Sequence, residues 1–362
     1  MRATQELHDL GQSLWLDNIT RGLLTSGKLR EYIRDYSVTG LTSNPTIFDN
    51  AIKAANSYDA AIQEKSGAGL SGEDLFYDLA LEDLTQAADL FRGVHEATGG
   101  IDGWVSLELS PQLVDDSDAS VKAAQELYAR AKRPNLFIKI PGTEAGAMAI
   151  EESIFAGVPV NVTLLFSRAQ YVRAAEAYLR GIERRMEAGL DPRVASVASI
   201  FVSRWDVAVQ EKVPAALRNR LGIAVALRSY QAYRELAESA RWQKLRDAGA
   251  TMQRLLWAST GTKDPNAKDT FYVEALAAPD TINTLPEQTL IAFAEHGQVG
   301  SPLPRDGGDA AGLLAEFDLL GIREDALAAD LQRAGADSFK KSWKSLLGQL
   351  ETKSTTLARR MG

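Results

Sequence analysis

Short runs in which every second residue is apolar alternate along this chain with longer stretches whose apolar residues recur at helical spacing. A period of two marks strands, and a period of 3.6 marks amphipathic helices. Strands are predicted at 14–18, 38–43, 104–109, 136–140, 159–166, 194–202, 252–258 and 271–276. Helix starts between them carry cap-plus-three spacings at Ser71 with Asp74, Ser167 with Gln170, and Thr284 with Glu287. After Ser167, one stripe holds Val172, Ala175, Leu179, Ile182 and Met186, and Gly189 lies beyond the helix end. Eight βα units in 362 residues predict one (β/α)8 TIM barrel spanning residues 1–362 rather than an open sheet.

Two regions exceed the minimal unit. Residues 204–249, after the sixth strand, hold more than one helix, including 224–238, and no obvious strand. A Gly/Pro-rich loop at 297–308 precedes helical patterns that run to the C-terminus. The late Lys340, Lys341, Lys344, Arg359 and Arg360 read as a solvated helix face and tail. Gly67-Ala-Gly-Leu-Ser-Gly72 matches a dinucleotide-binding fingerprint, but polar Gln63-Glu-Lys-Ser66 precedes it where a strand is required. A loop ending in the Ser71 cap explains it better.

Composition narrows the chemistry. No run of 18 apolar residues occurs, and the N-terminus lacks a signal peptide's apolar core, so a cytoplasmic protein away from membranes is expected. There is no cysteine, which removes thiolate catalysis, disulfides and Cys-based metal sites. His8, His95 and His296 have no metal-ligand spacing, so no metal is expected. A net charge of −8 argues against nucleic acid as a partner, and an anionic small substrate would need basic groups gathered locally.

The informative feature is a polar residue late in strand after strand, where barrel enzymes keep their chemistry. In Asn135-Leu-Phe-Ile-Lys-Ile-Pro141, Lys139 lies between isoleucines on a strand that reads as buried. A buried ammonium is costly unless it is paired or deprotonated. Deprotonation would make it a Schiff-base nucleophile; pairing with a carboxylate would make it structural. Other strands add polar groups at one parity: Asp17 with Trp15, Thr42 with Asn44, Glu108 with Ser106, Asn161 with Thr163, Ser199 with Val197 and Phe201, and Ser259 with Leu255 and Trp257. Singly, each has a local structural explanation, such as a backbone bond or a cap. Together, one lysine, two carboxylates and several amides and hydroxyls at a barrel mouth favour a Schiff-base site.

These residues resemble a known family. Gly40-Leu-Thr-Ser-Asn-Pro-Thr-Ile-Phe48 is similar to the first transaldolase signature, and Leu136-Phe-Ile-Lys-Ile-Pro-Gly-Thr143, followed by Asn161-Val-Thr-Leu-Leu-Phe166, is similar to the second. The resemblance implies transfer of a dihydroxyacetone unit from sedoheptulose 7-phosphate or fructose 6-phosphate to an aldose phosphate, in the pentose phosphate pathway and without a cofactor. It implies Lys139 as Schiff-base former, Asp17 as acid/base for carbon–carbon cleavage, and Glu108 with Thr163 as holders of the proton-shuttling water. Asn44 and Asn161 would bind the dihydroxyacetone hydroxyls, with Ser199 and Phe201 beside the substrate. Phosphate would fall to Arg204, Ser259 and Lys263, because Gly261 stands where the family carries a second arginine. Sugar phosphates are the expected partners of a monomer or homodimer. The rival within the superfamily is an aldolase that releases free dihydroxyacetone; such enzymes are shorter and carry Gln where Glu108 stands. A catalytically dead barrel would have lost Lys139, Asp17 or Glu108.

Overall fold

The computed structural model describes residues 2–54 and 56–359. Its strands are β1 (Ser13–Asp17), β2 (Val38–Thr42), β3 (Trp104–Glu108), β4 (Leu136–Pro141), β5 (Val160–Leu165), β6 (Ser196–Phe201), β7 (Arg254–Ala258) and β8 (Ile282–Leu285). They close in chain order into a barrel whose neighbours all pair in parallel, with β8 returning to β1. Parallel strands need crossovers, and helices such as Ser117–Ala131, Glu144–Phe155 and Arg168–Glu187 supply them and cover the outside. Helices on one side and barrel interior on the other explain why the strands are buried almost throughout. At Gly40 a Cβ would stand 2.7 Å from the Trp15 ring, so only glycine lets β2 pass that side chain.

Seven of the expected strands are found, and the eighth is corrected. Residues Phe271–Ala275 form a short helix, and β8 lies further on at Ile282–Leu285. Phe271-Tyr-Val has strand-like side chains, but Tyr272 is held by donating its hydroxyl to Asp206 at 2.7 Å. The true strand, Ile-Asn-Thr-Leu, is four residues long and half polar, and is specified by pairing with β7 and β1 rather than by its own pattern. Thr284 is therefore a strand residue and not a cap; the helix Glu287–His296 begins after Pro286. Ser71 occupies an N-cap position without a side-chain bond. Ser167 does accept from the Gln170 amide N–H at 3.2 Å, while Gln170 reaches back to Phe166 N at 2.7 Å. On that helix Ala175, Leu179 and Ile182 are buried, but Val172 is 37% exposed.

The Gly67–Gly72 segment joins the helices Asp59–Gly67 and Gly72–Ala97 and follows no strand. After β6 come the helices Ser203–Val209, Leu221–Glu238 and Ala240–Asp247. The chain then ends in a helix of 36 residues, Glu324–Arg359, about 54 Å long at 1.5 Å per residue. Lys341 and Lys344 are exposed on it and Lys340 is half-buried; Arg360 lies outside the described residues. This helix crosses to the helix Pro45–Ala54, where Ser342 meets Thr46 at 2.8 Å and Ser345 accepts from Lys53 at 2.9 Å.

Candidate active site

Strand register assembles the centre. Glu108 on β3 is the pairing partner of Lys139 on β4, and Lys139 of Asn161 on β5, so three polar residues stand side by side in one layer of the barrel. On the two strands before β3, Asp17 and Thr42 are partners between β1 and β2, and the Thr42 hydroxyl donates to Asp17 Oδ1 at 2.8 Å. The Lys139 ammonium lies 2.9 Å from Glu108 Oε2 and donates to the Ser43 carbonyl at 3.0 Å. Both partners of this ion pair are buried, Lys139 to 6% and Glu108 to 5% exposure. The two readings that the isolated strand left open are therefore compatible: Lys139 is paired with a buried carboxylate and also faces a cavity.

That cavity, of about 130 Å³, opens at the C-terminal ends of the strands. Asp17, Asn44, Lys139, Thr163 and Ser199 line it. Phe201, Arg204, Ser259 and Lys263 line it as well, so nearly all the expected site residues converge. Glu108 and Asn161 lie behind this lining and connect to it through Lys139 and Ser199. Asn161 accepts from the Ser199 hydroxyl at 2.8 Å and donates to Ser106 at 3.1 Å. Asn44 also accepts from Ile47 N at 3.0 Å, which caps the helix Pro45–Ala54 and fixes its amide at the rim.

Electrostatics separates the roles. Burial pushes the Glu108 carboxyl above its ordinary value against the pull of Lys139. Burial raises Asp17 in the same way, opposed by Lys139, by the Thr42 hydroxyl and by Arg204 and Lys263. Two carboxyls biased toward holding a proton, beside an amine, are suited to passing protons back and forth. Desolvation lowers the Arg204 guanidinium, which Asp17 counteracts. Arg204 lies over the Phe201 ring at 4.9 Å and has no hydrogen bond or ion pair among the described residues. The hydroxyl of Thr163 and Oε1 of Glu108 are buried without a protein partner.

One parity is corrected. On β7 it is Leu256 and Ala258 that face the cavity, not Leu255 and Trp257. Ser259 reaches the cavity only because its backbone turns left-handed, φ 56°, just after the strand. Its hydroxyl lies 2.9 Å from that of Ser203. Thr284 on β8, Pro286 just after it, and Phe339 from the C-terminal helix also line the cavity, and none of them is marked as a site residue by its local pattern. No local pattern marks Phe339 as anything but a core position of that helix.

A larger cavity, of about 640 Å³, opens at the opposite end of the barrel, where Ser13, Trp104 and Ser196 begin their strands. Its arginines are held by neighbours: Arg254 donates to Ser13 and to the Thr281 carbonyl, and Arg234 to Asp280. Among the described residues no group of three His, Asp or Glu is placed to hold a metal ion, and no helix is long and apolar enough to cross a membrane.

A closed parallel barrel that carries a buried lysine–carboxylate pair at its C-terminal mouth, with a second carboxyl lining the same cavity, belongs to the class of lysine-dependent barrel enzymes acting on carbonyl substrates. The family model described as Transaldolase/Fructose-6-phosphate aldolase matches residues 14–350, and the chain belongs to that family. It is 42% identical over 357 residues to a transaldolase of Arthrobacter sp. (strain FB24), covering 96% of both chains. It is 43% identical over 350 residues to a transaldolase of Saccharopolyspora erythraea, covering 95% of both. A protein named transaldolase 2 from Nostoc punctiforme is 40% identical over 373 residues, covering 98% of both.

Proposed function

We propose that Lys139 is the amine of a transaldolase reaction in which a dihydroxyacetone unit passes from sedoheptulose 7-phosphate or fructose 6-phosphate to glyceraldehyde 3-phosphate or erythrose 4-phosphate. The enzyme is a transferase, and the pentose phosphate pathway is its setting. The observation that carries the residue assignment is the buried Lys139–Glu108 contact at 2.9 Å, at the floor of a cavity that Asp17 also lines. Glu108, which burial makes a stronger base than an ordinary carboxylate, takes the ammonium proton and leaves a neutral amine to attack the donor's carbonyl carbon. Loss of water from the adduct gives the imine. The unpartnered Thr163 hydroxyl and Glu108 Oε1 support a water held between them for this step and for its reversal.

Asp17 then removes the proton from the donor hydroxyl next to the bond that breaks, and the aldose phosphate leaves. The three-carbon unit stays on Lys139 and adds to the acceptor aldehyde, with Asp17 returning the proton. Asn44, Asn161 and Ser199 orient its hydroxyls. Arg204, Ser259 and Lys263 hold the phosphate, Arg204 with a planar fork and Lys263 with a compact charge on the loop after β7. The reaction is read as cytoplasmic, on small sugar phosphates, by a monomer or homodimer. Fructose 6-phosphate with borohydride should inactivate the enzyme and leave a reduced three-carbon adduct on Lys139. An adduct on another lysine, or none, would sink the assignment. A coupled assay with and without erythrose 4-phosphate separates transfer from simple release of dihydroxyacetone.

A further inference from the structure

The C-terminal helix does more than cover the barrel. Gln332, Gly335 and Phe339 are spaced three and four apart and so share one face. Gln332 donates to the carbonyls of Gly142 and Leu164, at 3.1 and 2.9 Å, at the ends of β4 and β5. Leu164 has a left-handed backbone, φ 56°, and the β5–β6 register breaks between Val162 and Leu165. The helix thus docks on a carbonyl in a bulge of the barrel rim. One turn on, a Cβ at Gly335 would stand 2.9 Å from Leu164 Cδ2 and 3.1 Å from Arg204 Nη1, so the helix backbone lies directly against the guanidinium. Phe201 takes another side of the same group at 4.9 Å. A further turn on, Phe339 is 5% exposed and forms part of the cavity wall with Asp17, Arg204 and Lys263. Trp343 anchors the next turn by donating to Glu73 at 2.8 Å.

We propose that the C-terminal helix builds the outer wall of the substrate pocket, with Gly335 positioning the Arg204 guanidinium and Phe339 determining which sugar phosphates fit. The proposal rests on Arg204 as a phosphate ligand, as read above. Arg204 has no hydrogen bond or ion pair to the protein among the described residues, so packing against Phe201 and the glycine is what orients it. Among the described residues Phe339 is the one aromatic ring that the cavity receives from outside the barrel and its loops, and its bulk bears on how long a phosphorylated chain the pocket accepts.

Three variants test this by steady-state transfer, with fructose 6-phosphate and sedoheptulose 7-phosphate as alternative donors. Phe339→Ala should raise the donor KM by roughly ten-fold or more, the size of effect that lost apolar contact in a pocket produces. It should also change the preference between the two donors, which differ in length by one carbon; a merely loosened helix has no reason to do so. Gly335→Ala should raise KM by roughly ten-fold, the value of a misplaced charge-assisted bond. That loss should fall far more on phosphorylated donors than on borohydride trapping of dihydroxyacetone, which carries no phosphate. Gly348→Ala on the same helix, where a Cβ meets nothing within 4 Å, should behave as wild type. Wild-type KM and donor preference in both Phe339→Ala and Gly335→Ala, or the same change in Gly348→Ala, overturns the proposal while leaving Lys139 chemistry intact. A wild-type enzyme that traps no donor at Lys139 refutes the reading of the site, and this proposal with it.

Discussion

Replacing Lys139 by Met removes the nucleophile and one half of a buried ion pair, and the second effect is measurable without substrate. At 2.9 Å and an effective dielectric constant of about 20, the Lys139–Glu108 attraction is 332/(20 × 2.9), or about 5.7 kcal/mol. The variant loses this, and its buried Glu108 must either stay charged without a partner or take a proton. The cheaper route limits what the unpartnered carboxyl costs. Protonating a carboxyl whose ordinary value is 4.5 costs (7 − 4.5) × 1.36, or about 3.4 kcal/mol, at pH 7. At pH 5.5 the same route costs about 1.4 kcal/mol.

The direction with pH follows from proton binding. With its partner gone, Glu108 holds its proton in the folded state at pH values where the unfolded chain has lost it, so stability falls as pH rises above 4.5. Lys139→Met should therefore be less stable than wild type at pH 7, with up to about 3.4 kcal/mol of the loss coming from protonation of Glu108, and that part should shrink to about 1.4 kcal/mol at pH 5.5. Urea unfolding of both proteins at the two pH values checks this, with borohydride trapping on the same samples to confirm that no adduct forms. A gap that does not shrink on acidification would refute the reasoning, since it would mean that Glu108 stays ionised or that packing, not charge, dominates.

Other outcomes follow from the same site. Glu108→Gln should slow transfer by about 10²–10⁴ and raise the share of dihydroxyacetone released; unchanged turnover rules out its acid/base role. Asp17→Asn should still trap donor at Lys139 while carbon–carbon cleavage stalls, and a variant that traps nothing would assign Asp17 a structural role. Because burial raises Asp17, its charge opposes folding near neutrality, so the same variant should be more stable than wild type at pH 7, the advantage fading as pH falls toward 3.8. Arg204→Ala should raise KM for phosphorylated donors by roughly ten- to a hundred-fold, and Lys263→Ala by less; a wild-type KM in the latter would make Lys263 an ordinary surface lysine.

Most of the barrel and of its chemistry is legible in the residues themselves. Strong alternation with apolar neighbours located seven strands, and the unusual placement of Lys139, Glu108 and Asp17 on them pointed to the centre. Those signals are local, because a strand buried on both faces must state its pattern in its own side chains. Where the local signal is weak, tertiary structure decided. The sequence Ile282-Asn-Thr-Leu285 becomes a strand because β7 and β1 offer it backbone partners, while the more strand-like Phe271-Tyr-Val coils into a helix around the Tyr272–Asp206 bond. Ser259 enters the cavity by a single left-handed residue that reverses the parity expected from β7. Phe339 enters it from a helix some two hundred residues from Lys139, because Gln332 finds free carbonyls at the barrel rim and Gly335 leaves room beside Arg204. Periodicity records which face of an element is buried; what it is buried against depends on contacts between distant segments, and only the closed barrel with its crossing helix supplies those.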